Sequence, residues 1–178
     1  MTAILLYGDT IRSPALRHEV PLAIIDPFVF VAHEGRSLVL TSRLEADRIR
    51  QARPDAELAL AEDLGFYELV QDGLSFDAAE LETVVRALAR WGVSEVVVPG
   101  ETPVAVADRL RAAGIGLRID DDAVRARRRA ESAGELEGIR RAQRAAEAGM
   151  AAAEALIRGA EREGERLALT AEEVRDRI

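Results

Sequence analysis

Short apolar runs alternate with amphipathic stretches along this chain, and the apolar spacing switches repeatedly from continuous to helical. Residues 3–8, AILLYG, make an apolar run that stops at Gly8-Asp9 and predict a buried strand. SPALRHEVPLAIIDP holds three prolines and reads as irregular chain around a short strand at 22–25. FVFVAHEGRSLVLTS predicts two strands, 28–33 and 37–41, joined by EGR as a hairpin. Ser42 with Glu45 three residues on is a capping-box signal for a helix over 43–52, which Pro54 stops. AELALAED offers another strand, and 64–71 a short helix ending at Gly73.

The second half of the pattern is more regular. Asp77 with Glu80 is a second capping signal. Behind it Leu81, Val84, Val85, Leu88 and Trp91 share one helical face, and Gly92 ends the helix. SEVVVPG is a β-run. Thr102 as N-cap and Pro103 at the first helical position open a helix over 104–113, closed by Gly114, and IGLRID is a final strand. A hairpin region followed by strand–helix–strand–helix–strand predicts an α/β fold: a mixed β-sheet flanked by helices, occupying residues 1–126, with a helical segment over 127–178.

Beyond Asp120 the character changes. DDDAVRARRRA places Asp121 and Arg125 in i, i+4 register. Ser132 and Glu135 form a third capping box, and Leu136, Ile139, Ala142, Ala146, Met150, Ala153, Ile157 and Ala160 make one continuous stripe. Thr170 with Glu173 starts a further helix. A helix this long is held by burial of its apolar face rather than by propensity, and alanines at successive contact positions let another backbone approach closely. The stripe therefore calls for a partner: the first domain, a second subunit, or further chain.

Composition narrows the function. Of 178 residues, 48% are hydrophobic and 31% charged, ordinary for a globular chain. A net charge of −8 and a pI near 5.0 argue against nucleic-acid and anionic-membrane surfaces, which need a basic field. There is no cysteine, which removes disulfides, thiol catalysis and thiolate metal sites. All 24 basic residues are arginine, which reads as the codon usage of a GC-rich genome and removes Schiff-base and P-loop lysine chemistry. No signal peptide and no apolar run of membrane-spanning length is visible, so a cytoplasmic location is expected.

AVRARRRAESAGELEGIRRAQRAAEAGM resembles the junction of the creatinase/prolidase/aminopeptidase P family, where an N-terminal α/β domain precedes a pita-bread metallopeptidase domain. Arg128, Ser132, Glu135, Leu136, Ile139, Arg140 and Ala142 occupy the places of that junction's pattern, and Glu131 stands where the family has lysine. FVFVAHEGRSLVLTSRLEADRIRQ and WGVSEVVVPGETPVAVADRLRAAG are similar to the family's hairpin-to-helix and later helix–strand–helix stretches. The family's asparagine followed by tyrosine-leucine-threonine-glycine has no clean counterpart; SPALRHEV stands near its place.

The resemblance implies that 1–126 is a creatinase/prolidase-like N-terminal domain and 127–178 the linker and first helices of a truncated pita-bread catalytic domain. It implies a parent that is an Xaa-Pro peptidase acting on peptides with two divalent ions (Mn, Co or Zn), all ligands lying beyond Ile178. The domain itself would make subunit contacts, as in a homodimer, and restrict access to the active site. No catalytic and no metal-ligating residue is expected within these 178. Because a loop of this domain can shape the neighbouring subunit's active site in the family, Arg17 and His18 are the candidate substrate-proximal residues. Two other readings stay open: a parent cleaving a small C–N bond, as creatinase and ectoine hydrolase do, and a stand-alone dimerisation or binding module with no enzymatic parent.

The remaining motifs are weak. His18-Glu19 and His33-Glu34 lack the second histidine of a zinc helix, since Leu22 and Ser37 stand in its place. Asp120-Asp121-Asp122 reads as a helix start rather than a cation site. RARRR reads as a salt-bridged face. No G-x-S-x-G and no glycine-rich phosphate loop is present. Tyr7, Asp9, Arg17 and His18 are the one cluster of polar functional groups beside an apolar strand and a proline-rich loop.

Overall fold

The computed structural model describes residues 2–130, 132–164 and 166–178, without the side chain of Glu163. It divides into two compact units, 1–129 and 130–178.

The first unit is built on a six-stranded sheet. Strands β1 (Ala3–Gly8), β2 (Phe28–His33), β3 (Arg36–Thr41), β4 (Ala56–Leu60), β5 (Glu95–Val98) and β6 (Gly116–Ile119) lie in the order β4-β3-β2-β1-β5-β6. β2 pairs antiparallel with both β1 and β3, and every other pairing is parallel. Helices cover both faces, which is why the strands read as apolar runs rather than alternations. Leu5, Val29, Val31, Leu38, Leu40, Val96 and Val98 point to one core, with helices α4 (Phe76–Trp91) and α5 (Val104–Ala112). Leu6, Phe28, Phe30 and Val39 point to the other, with α1 (Pro14–Glu19), α2 (Arg43–Ala52) and α6 (Asp121–Arg127). The chain thus has the expected mixed sheet flanked by helices, followed by a helical segment.

Several local expectations are corrected. Residues 14–19 form α1 rather than irregular chain: Ser13 Oγ accepts the Leu16 N–H and Pro14 fills the first turn, where its missing N–H costs nothing. No strand forms at 22–25. There Thr10 exchanges backbone and side-chain bonds with Ile24, and its hydroxyl donates to the Leu22 carbonyl at 2.6 Å, so the segment is pinned without a ladder. The Ser42–Glu45 box does not close; the Arg43 N–H goes instead to the Glu62 carboxylate (3.0 Å). The expected helix at 64–71 is split into a 3-10 turn, Glu62–Leu64, and α3 (Phe66–Gln71), with Gly65 between them at φ 85°. α4 starts before Asp77, because Ser75 is the residue that caps, accepting the Ala78 N–H. Pro103, not Thr102, is the N-cap of α5. Arg125 pairs with Asp122 at 3.6 Å, while the Asp121 carboxylate accepts the Gly100 N–H.

The second unit is carried by α7 (Ala133–Gly159), opened by the closed Ser132–Glu135 capping box. A two-residue hairpin, β7 (Arg162–Glu163) with β8 (Arg166–Leu167), leads to α8 (Ala171–Arg175), opened by the Thr170–Glu173 box. No described residue of α7 is buried, and Leu136, Ile139, Met150 and Ile157 along the stripe are exposed.

Candidate functional site

Arg17 and His18 lie in the last turn of α1. That helix buries Ala15, Leu16 and Glu19, leaving Arg17 exposed and His18 half-buried. Of the four polar groups expected to cluster here, Asp9 and Tyr7 are engaged by other residues. Asp9 accepts the Ile11 and Arg12 N–H groups at 2.9 and 2.8 Å and so shapes the turn after β1. Tyr7 points to the opposite side of the sheet and donates to Glu80 Oε1 at 2.9 Å.

The Tyr7–Glu80 pair lies beside a concavity of about 400 Å³ at the end of the sheet where β3 and β4 finish and β2 begins. Parallel α/β sheets characteristically place ligand sites at that carboxyl edge. Ile24, Phe28, Leu40 and Val84, all buried, line its inner part. Phe66, Tyr67 and Phe76 stand around it, Phe66 meeting each of the other two edge-to-face at 5.4 and 5.7 Å. Four carboxylates, Asp26, Glu45, Glu62 and Glu80, complete the lining, and no lining residue carries a positive charge.

Burial raises the Glu80 carboxyl above the usual glutamate range, with Asp77 and Asp26 adding to the rise and the Tyr7 hydroxyl opposing it. Burial and Glu80 together hold the Tyr7 phenol far above its ordinary value, so it stays a donor. A raised carboxyl has a definite sign in stability. Below the ordinary range both folded and unfolded chains are protonated; as pH rises the unfolded chain releases its proton first, and stability falls until the folded Glu80 also ionises. Glu80→Gln keeps an acceptor for Tyr7 and removes the titration. Its urea midpoint is expected to gain on the parent as pH rises from about 4 to about 8, with no gain at the acid end.

A second polar cluster occupies the opposite face. Glu19, 5% exposed, accepts from Arg127 Nε at 2.5 Å and pairs with Arg53 at 3.6 Å. Both guanidiniums lie over the Phe30 ring, at 5.8 Å for Arg53 and 5.7 Å for Arg127. The network ties α1, β2, the end of α2 and the end of α6 together.

No family model matches the chain, and no curated protein matches it by sequence. Solved structures do match. An X-Pro aminopeptidase from Thermotoga maritima MSB8 superposes with a TM-score of 0.66 at 15% identity, covering 98% of this chain and 44% of that one. An Xaa-Pro dipeptidase from Bacillus anthracis gives 0.64 at 12% identity, covering 89% and 40%. A prolidase from Pyrococcus horikoshii OT3 gives 0.59 at 14% identity, covering 92% and 41%. This fold is shared with Xaa-Pro peptidases. The chain spans less than half the length of each of these three neighbours.

Among the described residues no group of three or more histidines, aspartates or glutamates could hold a metal ion. No described helix is long and apolar enough to cross a membrane.

Sequence reasoning misses the aromatic cluster and the place of Glu80, because the Asp77–Glu80 spacing reads as a capping box. With Ser75 as the cap, Glu80 falls one turn before Val84, on the face α4 presents to the core. A carboxylate on an apolar face is a legible signal, and only the misplaced helix start concealed it. Glu19 was equally legible as a charge beside Leu16 and Val20 once 14–19 is drawn as a helix.

Proposed function

We propose that this chain is the non-catalytic N-terminal domain, with the first helices of the following domain, of an Xaa-Pro metallopeptidase of the aminopeptidase P/prolidase kind. The observation that supports this is the extent of the fold match: nearly the whole chain superposes on less than half of an X-Pro aminopeptidase. The junction pattern from Arg128 to Ala142 points the same way. In this proposal the chemistry, with two ions of manganese, cobalt or zinc, belongs to a region outside these 178 residues, and the protein acts in the cytoplasm. The exposed stripe of α7 docks into that region, and the first unit makes homodimer contacts and limits access to the active site. Arg17 and His18 serve as substrate-proximal groups at the neighbouring subunit's site.

The test is a substrate panel on the full-length gene product loaded in turn with Mn, Co and Zn. Xaa-Pro dipeptides and tripeptides are expected to be cleaved, with creatine and ectoine-like amides left intact. Turnover of the amides alone would assign the parent to C–N hydrolysis instead. A mature natural protein of 19.4 kDa by mass spectrometry would remove the enzymatic parent altogether.

A further inference from the structure

We infer that the concavity at the carboxyl edge of β3 and β4 is a binding site for a small organic cation: an ammonium or guanidinium group carried on an apolar body. Acidity alone would make no site. What makes one is a volume of about 400 Å³, within the range of small-ligand pockets, combined with a lining of complementary chemistry. Ile24, Phe28, Leu40 and Val84 give an apolar surface for the body of the ligand. Tyr67 and Phe76, 56% and 65% exposed, offer ring faces at which a cation is attracted by the aromatic quadrupole. Each makes an edge-to-face contact with Phe66, which fixes one side of its ring.

Charge selects the ligand. Glu45 is paired with Arg48 at 2.6 Å, and Glu62 accepts the Arg43 N–H, so those two are partly committed. Glu80 has one donor, the Tyr7 hydroxyl, and keeps acceptor capacity on its second oxygen. Asp26 has no hydrogen bond or ion pair among the described residues. The lining therefore presents uncompensated negative charge beside apolar and aromatic surface. An anion is repelled by it, a neutral apolar molecule uses only the apolar surface, and a cation with an apolar body satisfies both. Neither this assignment nor its test depends on the peptidase reading, because every residue involved belongs to the first unit.

The test is a calorimetric and NMR titration of the whole 178-residue chain with 2-phenylethylammonium at fixed ionic strength. The neutral 2-phenylethanol, the anionic 3-phenylpropionate and the peptide acetyl-Ala-Arg-Ala-amide are run alongside. Saturable one-to-one binding is expected, with shifts at Tyr67 and Phe76. The alcohol is expected to be weaker by about tenfold, a factor suited to one partly desolvated charge contact, and the propionate weaker still. Glu80→Gln and Phe76→Ala should each weaken the ammonium by several-fold; Phe76 is an exposed position whose loss leaves the fold intact. The inference is overturned if the ammonium does not saturate, if the alcohol binds as tightly, or if both variants bind as the parent does. An arginyl peptide binding about tenfold tighter than the small ammonium would also overturn it, in favour of a protein partner.

Discussion

Phe30→Ala is expected to destabilise the first unit by about 4 kcal/mol, the upper part of the range for truncating a buried aromatic. Phe30 is fully buried at the centre of β2, registered against Leu6 on β1 and Val39 on β3. Its ring fills the core between the sheet and α1, α2 and α6, and it is also the surface on which Arg53 and Arg127 stack. Truncation therefore removes apolar burial, leaves a cavity whose sheet wall is held by two ladders, and strips two guanidiniums of their aromatic face. Phe30→Leu should cost much less, about 1.5 kcal/mol, because most of the volume stays. Urea titration followed by fluorescence measures both. The single tryptophan, Trp91, is buried in the other core of the same unit, with its indole N–H donating to Glu57 at 3.1 Å, so it reports global loss of that unit rather than local rearrangement at the mutation. A loss below about 2 kcal/mol for the alanine variant would mean that the second core is not packed as described.

The sheet was largely readable because its four inner strands, β1, β2, β3 and β5, are largely buried, and a continuous apolar run such as Phe28 to Ala32 suits a strand covered on both faces. What escaped reading has a common physical origin. Capping signals recur at neighbouring positions, and sequence spacing alone does not rank them: Ser75 outcompetes Asp77 and shifts the helix start before Asp77. Around α1 the prolines at 14 and 21 look like breakers, yet proline at a first helical position is compatible with a helix, and Ser13 supplies the cap. Neither polar cluster could be assembled from local pattern at all. Tyr7 and Glu80 are 73 residues apart, and Glu19 and Arg127 are 108 apart, so their meeting is a product of topology. The aromatic cluster is a nearer miss. Phe66, Tyr67 and Phe76 fall within eleven positions, and their juxtaposition depends only on the turn between α3 and α4. Arg17 and His18 sit on a helix the prolines had concealed, and its buried face explains why Arg17 is exposed and His18 half-buried.

Glu19→Ala is expected to cost about 3 kcal/mol, more than any exposed ion pair in this chain would, because it leaves charge behind in a largely buried place. The Glu19 side chain is 6% exposed, Arg53 18% and Arg127 34%. Arg53 keeps Asp55 as a partner at 2.9 Å when Glu19 is lost, and donates also to Ser37 Oγ. Arg127 has no second carboxylate among the described contacts, so most of the loss falls on it and on the docking of α6 against α1. Arg127→Ala alone should cost less, about 1.5 kcal/mol, because Glu19 retains Arg53 and the vacated site is partly open to water. The double variant then distinguishes a true network from two independent defects. If the pair is coupled, the double loss falls short of the sum of the single losses by about 1–2 kcal/mol; strict additivity would mean that Glu19 is buried for packing alone and that α6 is held by Val124 and the Phe30 ring without its charge. High salt gives a second check, since screening acts strongly on exposed pairs such as Arg50–Asp47 and weakly on Glu19. The difference between parent and Glu19→Ala should therefore persist at about 1 M salt.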